Sequence, residues 1–197
     1  MSSQSIIEQL SEALRCLPGI GPKSAQRMVM YLLERDRDGA RQLAKSLQIA
    51  MDEIKHCSLC RNFTEHEQCE ICASASRDIS QLCIVENPGD VIAIEQTGYY
   101  RGRYFVLMGS LSPIDGIGPD ELGLNDLVSR CRSDVEEVIL AVSSSVEGEA
   151  TSYYVTEMLK AQNLTVSRIA QGIPVGGELE YIDGGTLSHA INGRKII

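Results

Sequence analysis

Hydrophobic residues near the N-terminus recur at helical intervals. Ser5 and Glu8 have the spacing of a capping box, and Ile6, Leu10, Ala13, Leu14 and Leu17 follow along one stripe. Pro18-Gly19 predicts the end of that helix. Beyond the Gly19-Ile20-Gly21 turn, Pro22 stands at a favoured first helical position, and Ala25, Met28, Val29, Leu32 and Leu33 form a second stripe. A third runs through Leu43, Ala44, Leu47, Met51 and Ile54, so residues 1–55 read as a small helical unit. After a cysteine-rich stretch within residues 56–78 the pattern changes to short apolar runs. Leu82–Val85, Tyr104–Met108, Glu137–Val142 and Thr165–Ile169 predict buried strands, with helices near Val91–Gln96, Asp120–Arg132 and Glu149–Gln162. This alternation predicts a mostly parallel α/β sheet over residues 79–171. The Gly-rich tail, residues 172–197, predicts a strand (Glu178–Asp183) and a short helix capped by Thr186.

Composition adds a globular chain with an aliphatic core. Hydrophobic residues are 43% and charged residues 23% of the 197, with no Trp and two Phe, which leaves little material for an aromatic base-stacking platform. The longest apolar run, Met28–Leu33, is about a third of a membrane span. Glu8 and Glu12 occupy the place of a signal peptide's basic and apolar regions, so the expectation is a soluble cytoplasmic protein without membrane attachment. The net charge of −9 argues, as an average, against a nucleic-acid partner. Its distribution reverses that argument: residues 1–55 hold eight Lys/Arg and seven Asp/Glu, whereas the remainder holds ten and twenty.

The strongest chemical signal is Cys57-x2-Cys60-x8-Cys69-x2-Cys72. Two C-x-x-C knuckles supply four thiolates to a tetrahedral ion, leaving no position for a reactive water, which predicts one structural Zn2+ per chain. His56 and His66 complete neither knuckle. Cys16, Cys83 and Cys131 fall at apolar periodic positions and read as buried core thiols.

Three further constellations admit two readings each. Leu17-Pro18-Gly19-Ile20-Gly21-Pro22-Lys23-Ser24 lacks both the spacing and the preceding strand of a Walker A loop. A Gly-x-Gly turn between helices nevertheless offers free backbone N–H groups to a phosphate, and Lys23 and Arg27 lie about 160° and 200° around the helix from its apolar centre. The plainer reading is an αα turn with a solvated basic face. A second Gly-Ile-Gly-Pro, Gly116–Pro119, precedes Asp120 and Glu121, which repel phosphate. In the α/β part, Glu86, Asp90, Glu147 and Glu149 follow predicted strands, where such sheets bind ligands. They read either as a weak Mg2+ site or, for Asp90 and Glu149, as ordinary first-turn acids. Thr97–Tyr104 interleaves aromatics with Arg, as single-strand binders do, but also suits a turn and edge strand.

The order of these parts resembles the RecR family of bacterial recombination mediators along essentially the whole chain. Besides the four cysteines, the resemblance rests on Ile94–Tyr104, Leu111-Ser112-Pro113-Ile114-Asp115-Gly116, Val146-Glu147-Gly148-Glu149-Ala150-Thr151 and Gly172–Tyr181. It implies a multidomain α and α/β fold: a helix-hairpin-helix DNA-binding region (1–55), a four-cysteine zinc finger (56–78), a Toprim-like domain (79–171) and a C-terminal arm (172–197). It also implies a non-enzymatic, nucleoid-associated protein that binds single- and double-stranded DNA. Such a protein acts with RecO and RecF to place RecA on DNA coated by single-strand-binding protein, and forms rings, typically homotetramers. By position, Lys23 and Arg27 would touch DNA, and Glu86, Asp90, Glu147 and Glu149 would form an acidic cluster meeting RecO. The departure from catalytic Toprim domains is Glu147-Gly148-Glu149, read as a loop after Ser143-Ser144-Ser145 where those enzymes carry Asp-x-Asp. The competing reading is a Mg-dependent Toprim nuclease or phosphotransferase, with Glu86 as general acid/base and Glu147 and Glu149 as metal ligands.

Overall fold

The computed structural model describes residues 4–131, 134–162 and 164–194. They fall into two compact units divided after Ile54.

The first unit contains α1 (Ile6–Leu14), α2 (Pro22–Glu34) and α3 (Arg37–Glu53). The Ser5/Glu8 capping box starts α1, with both reciprocal bonds formed. That helix stops at Leu14, earlier than Pro18-Gly19 indicates, because Arg15, Cys16 and Leu17 continue only as tight turns bonded three residues back. Cys16 in this turn is exposed, which corrects its assignment as a core thiol. Gly19 has φ +79°, the left-handed conformation that reverses the chain before Pro22 opens α2.

The second unit opens with a small hairpin, β1 (Lys55–His56) paired with β2 (Phe63–Thr64), followed by α4 (Glu70–Ala73). It continues through β3 (Gln81–Val85), α5 (Pro88–Thr97), β4 (Arg103–Val106), α6 (Leu124–Arg130), β5 (Glu137–Ala141), α7 (Val146–Leu159) and β6 (Thr165–Arg168). The four strands β3 to β6 form one sheet in the order β4-β3-β5-β6, with every pairing parallel. Alternate residues serve opposite faces. Leu82, Ile84, Phe105, Val138 and Leu140 pack with Leu127 of α6 and Val155 and Leu159 of α7. Cys83, Val85, Tyr104 and Val106 pack with Val91 of α5. Both faces are covered, as a parallel sheet requires. Burial pushes the Cys83 thiol up to about 12 and that of Cys131 up to about 11, so both remain protonated core groups.

α6 begins at Leu124, later than the expected Asp120, because residues 119–123 form turns; Arg132, the expected end, lies outside the described residues. The C-terminal arm departs from expectation at two points. Leu179–Tyr181 is a 3-10 turn where a strand was expected, with Tyr181 N–H bonded back to the Glu178 carbonyl. α8 (Gly184–Asn192) is capped by Asp183, whose carboxylate accepts from Thr186 N–H, so Thr186 is the capped residue.

Candidate zinc centre and nucleic-acid interface

The two knuckles bring Cys57, Cys60, Cys69 and Cys72 together, all buried, with their sulfurs within 4.8 Å of one another. Four thiolates at ~2.3 Å from a zinc ion would stand ~3.8 Å apart on tetrahedron edges. Cys60 and Cys69 Sγ are already 3.5 Å apart. Cys69 N–H donates to Cys57 Sγ at 3.3 Å, the kind of outer hydrogen bond that orients a ligating sulfur. The Cys60 thiol is pushed up, first by its hydrogen bond to Cys72 and then by burial. Cys72 is pulled down, chiefly by that same bond. The donor set fits a structural Zn2+. His56 bonds the Arg61 carbonyl at 2.9 Å and stacks on Phe63, outside the cluster.

The finger is anchored to the sheet unit by contacts that its cysteine spacing does not reveal. Val106 N–H at the end of β4 donates to the Cys60 carbonyl at 2.9 Å. Arg61, in a left-handed conformation with φ 64°, sends its guanidinium to the carbonyls of Leu122 and Glu121 and lies 5.9 Å over the Phe105 ring. The one sequence sign of this role is its place immediately after a ligand.

On the hairpin, Lys23 and Arg27 are both exposed, and neither forms an ion pair among the described residues. Two arginines of the unit are engaged, Arg15 with Glu12 at 2.5 Å and Arg41 with Asp38 at 2.6 Å, while Arg35 and Lys45 are exposed without an ion pair among the described residues, as Lys23 and Arg27 are. α2 starts at Gly21 with no side-chain cap and no acid in its first turn, whereas Ser5, Asp36, Ser145 and Asp183 cap α1, α3, α7 and α8. The first N–H groups of α2 therefore lack a side-chain acceptor beside a free cation, an arrangement suited to a phosphate oxygen.

The acids lie around the crevice where connections leave β3 and β5 in opposite directions. Glu86 follows β3 and accepts from Ser143 N–H at 3.1 Å and Ser143 Oγ at 3.0 Å, bridging the two strand ends. Glu147-Gly148-Glu149 is the first turn of α7, which corrects its reading as a loop. A Cβ on Gly148 would stand 2.2 Å from the Ser143 carbonyl oxygen, so glycine permits α7 to cross the end of β5. Glu149 pairs with Arg168 at 2.7 Å, and that contact holds its carboxyl below the usual range. Asp90 accepts from Asn87 N–H at 2.8 Å, closing the first turn of α5. Among the described residues, the four cysteines are the group that gathers three or more ligand atoms, and the acids do not join into a comparable set.

The Thr97–Tyr104 segment divides in two. Tyr104 is buried and donates to Glu95 at 2.7 Å, while the Tyr100 hydroxyl donates to the Arg103 carbonyl at 2.9 Å. Arg77 clamps Glu95 from the other side. Of the three tyrosines in the segment, Tyr99 alone is exposed.

Comparison with known families matches this chain in four consecutive stretches. Residues 7–51 match the RecR helix-hairpin-helix, 54–74 the RecR four-cysteine zinc finger domain, 80–170 the Toprim domain, and 172–195 the RecR C-terminal region. No helix among the described residues is long and apolar enough to cross a membrane. Three RecR models and one Toprim model, in order from residue 7 to residue 195, establish that the chain belongs to the RecR family.

Proposed function

We propose that the protein is a DNA-binding recombination mediator of DNA repair that encircles DNA as a homotetrameric ring and works with RecO and RecF to load RecA at single-stranded gaps. The observation that carries the DNA contact is the uncapped start of α2, with Lys23 and Arg27 exposed and unpaired beside it. Each hairpin is a small basic surface, and a ring that repeats it multiplies the effective affinity. Support for self-association comes from the same unit, where a cavity of about 430 Å³ is lined by Leu14, Leu17, Met28, Tyr31, Leu32 and Leu43, together with Arg27.

The acidic crevice is assigned to a basic partner surface, RecO, and not to phosphoryl transfer. Glu86, Asp90 and Glu149 are each held by a protein donor. Glu147 extends the negative surface on the first turn of α7. Incubation with labelled DNA and Mg2+ or Mn2+ checks this. No cleavage is expected, and cleavage abolished by Glu86→Gln would establish the enzyme reading instead.

The DNA assignment is tested by Lys23→Ala with Arg27→Ala. If each side chain neutralises one phosphate, the slope of log affinity against log salt falls by about 1.8 per engaged duplex-bound chain, or ~1.4 on a single strand. Zinc content and the melting profile should stay unchanged. Unaltered affinity and slope would sink the hairpin assignment. Glu147→Ala should weaken RecO binding while DNA binding remains.

A further inference from the structure

A cavity of about 350 Å³ lies between the zinc finger and α6, and Ser58, Leu59, Arg61, Asp126, Ser129 and Arg130 line it. Ser58 and Leu59 are the two residues inside the first C-x-x-C knuckle. Arg130, at the end of α6, has its Nε and Nη2 buried without a hydrogen-bond partner. Asp126, one turn earlier on α6, is exposed, and no ion pair joins it to Arg130 among the described residues. Arg61 is committed to the carbonyls of Glu121 and Leu122. A guanidinium placed this way is costly unless an anion compensates it.

The finger supplies such an anion once it is filled. Four thiolates around a divalent ion carry a net charge of −2, and the ion's own charge belongs in any account of its surroundings. Arg130 lines the same cavity as Ser58 and Leu59 of the first knuckle, so its unpartnered nitrogens lie beside the finger. We infer that Arg130 is the outer counter-cation of the zinc–tetrathiolate centre, supplied by the α/β domain and not by the finger itself. The inference rests on the assignment of the four cysteines to zinc. It couples metal retention to the position of α6, which joins Arg61 and the Cys60–Val106 bond in tying the finger to the sheet.

The test uses the full chain with Arg130→Met, which keeps an unbranched apolar stem without charge, and Arg130→Lys, which restores the charge. Zinc affinity is measured by competition with a chromophoric chelator. The cobalt-substituted proteins report the thiolate-to-metal charge-transfer band. Arg130→Met should bind zinc about 10- to 100-fold more weakly and shift the band, with Arg130→Lys intermediate. Far-UV dichroism should show both variants folded. Wild-type affinity and an unshifted band in folded Arg130→Met would overturn the inference. If Arg130→Met fails to fold, Arg130→Lys with wild-type geometry but no change in either readout relative to Arg130→Gln would overturn it equally. A wild-type chain that binds no zinc would overturn the zinc assignment itself, which is a different result.

Discussion

The helical unit and the α/β unit are both rich in aliphatic residues, yet they use them in opposite ways. In α1 to α3 only Ala25 and Val29 are buried, while Ile6, Leu10, Leu43, Leu47 and Met51 remain exposed. In the sheet unit Leu82, Ile84, Val85, Val106, Leu127, Val138 and Leu159 are closed off completely. A parallel sheet with helices on both faces buries its strands within one chain. Three short amphipathic helices form one layer and need a second against their apolar stripe. The contrast teaches that the α/β unit closes its core within itself, whereas the helical unit leaves its apolar stripes exposed, the surface the proposed ring would use.

Removing the metal should separate the two units most sharply. Structural zinc contributes ~10 kcal/mol or more of apparent binding energy. A strong chelator should accelerate amide exchange across residues 57–72 and in β4, through the lost Cys60–Val106 anchor, while α1 to α3 keep their protection. Equal acceleration in α1 to α3 would show that the units are not independent.

Burial predicts the next difference. Leu140, 3% exposed, should cost about 2–5 kcal/mol when replaced by Ala. Leu47, 54% exposed, should change the stability of the dilute chain by only about 0.5 kcal/mol. Sedimentation of Leu47→Ala should instead show weaker self-association. A wild-type association constant in Leu47→Ala would remove this residue from any interface.

Glycine substitution sharpens the comparison at smaller scale. A Cβ at Gly148 collides with the Ser143 backbone, so Gly148→Ala must displace α7 and should cost about 1–3 kcal/mol in urea unfolding. Gly21, the N-cap of α2, has open space around its Cβ position, so Gly21→Ala meets no clash and should cost only about 0.5 kcal/mol, the poorer capping of Ala relative to Gly. Equal losses would mean that α7 does not approach β5 as closely as described.

A further small effect is expected in the Arg77–Glu95–Tyr104 clamp. Hydrogen bonds from Arg77, more than any other cause, hold the Glu95 carboxyl below its ordinary value of 4.5. A depressed carboxyl stabilises the fold fully above that ordinary value and loses the contribution as pH falls through its lower folded value. Glu95→Gln should therefore be less stable than wild type at pH 7, by about 1 kcal/mol or less, with the gap narrowing toward pH 3. A gap that widens in acid would contradict the assignment.

Most elements were legible because their causes are local. The Ser5/Glu8 box, Pro22 at the start of α2, and the short apolar runs of the sheet strands appear where the sequence indicated them. The misreadings share a different cause. Glu178–Asp183 was expected as a strand, but among the described residues no strand pairs with it and Leu179–Tyr181 turns as a 3-10 helix instead. Cys16 lies on the apolar stripe but beyond the end of α1, so the stripe does not bury it. Glu147-Gly148-Glu149 read as a loop because it follows Ser143-Ser144-Ser145, whereas its packing against Ser143 as the first turn of α7 is visible only in three dimensions.

By itself the sequence determined the helices, the strands, the four-cysteine centre and the basic face carrying Lys23 and Arg27, since each depends on spacing within one element or one short loop. The tertiary structure alone decided what the charges of the α/β unit meet across its elements. The pairing of β3 with β5 sets Glu86 against Ser143, and α7 crossing to β6 sets Glu149 against Arg168. The approach of α6 to the finger brings Arg130 beside the knuckle. Such contacts join residues tens of positions apart, and no periodicity along the chain encodes which distant partner will neutralise a charge.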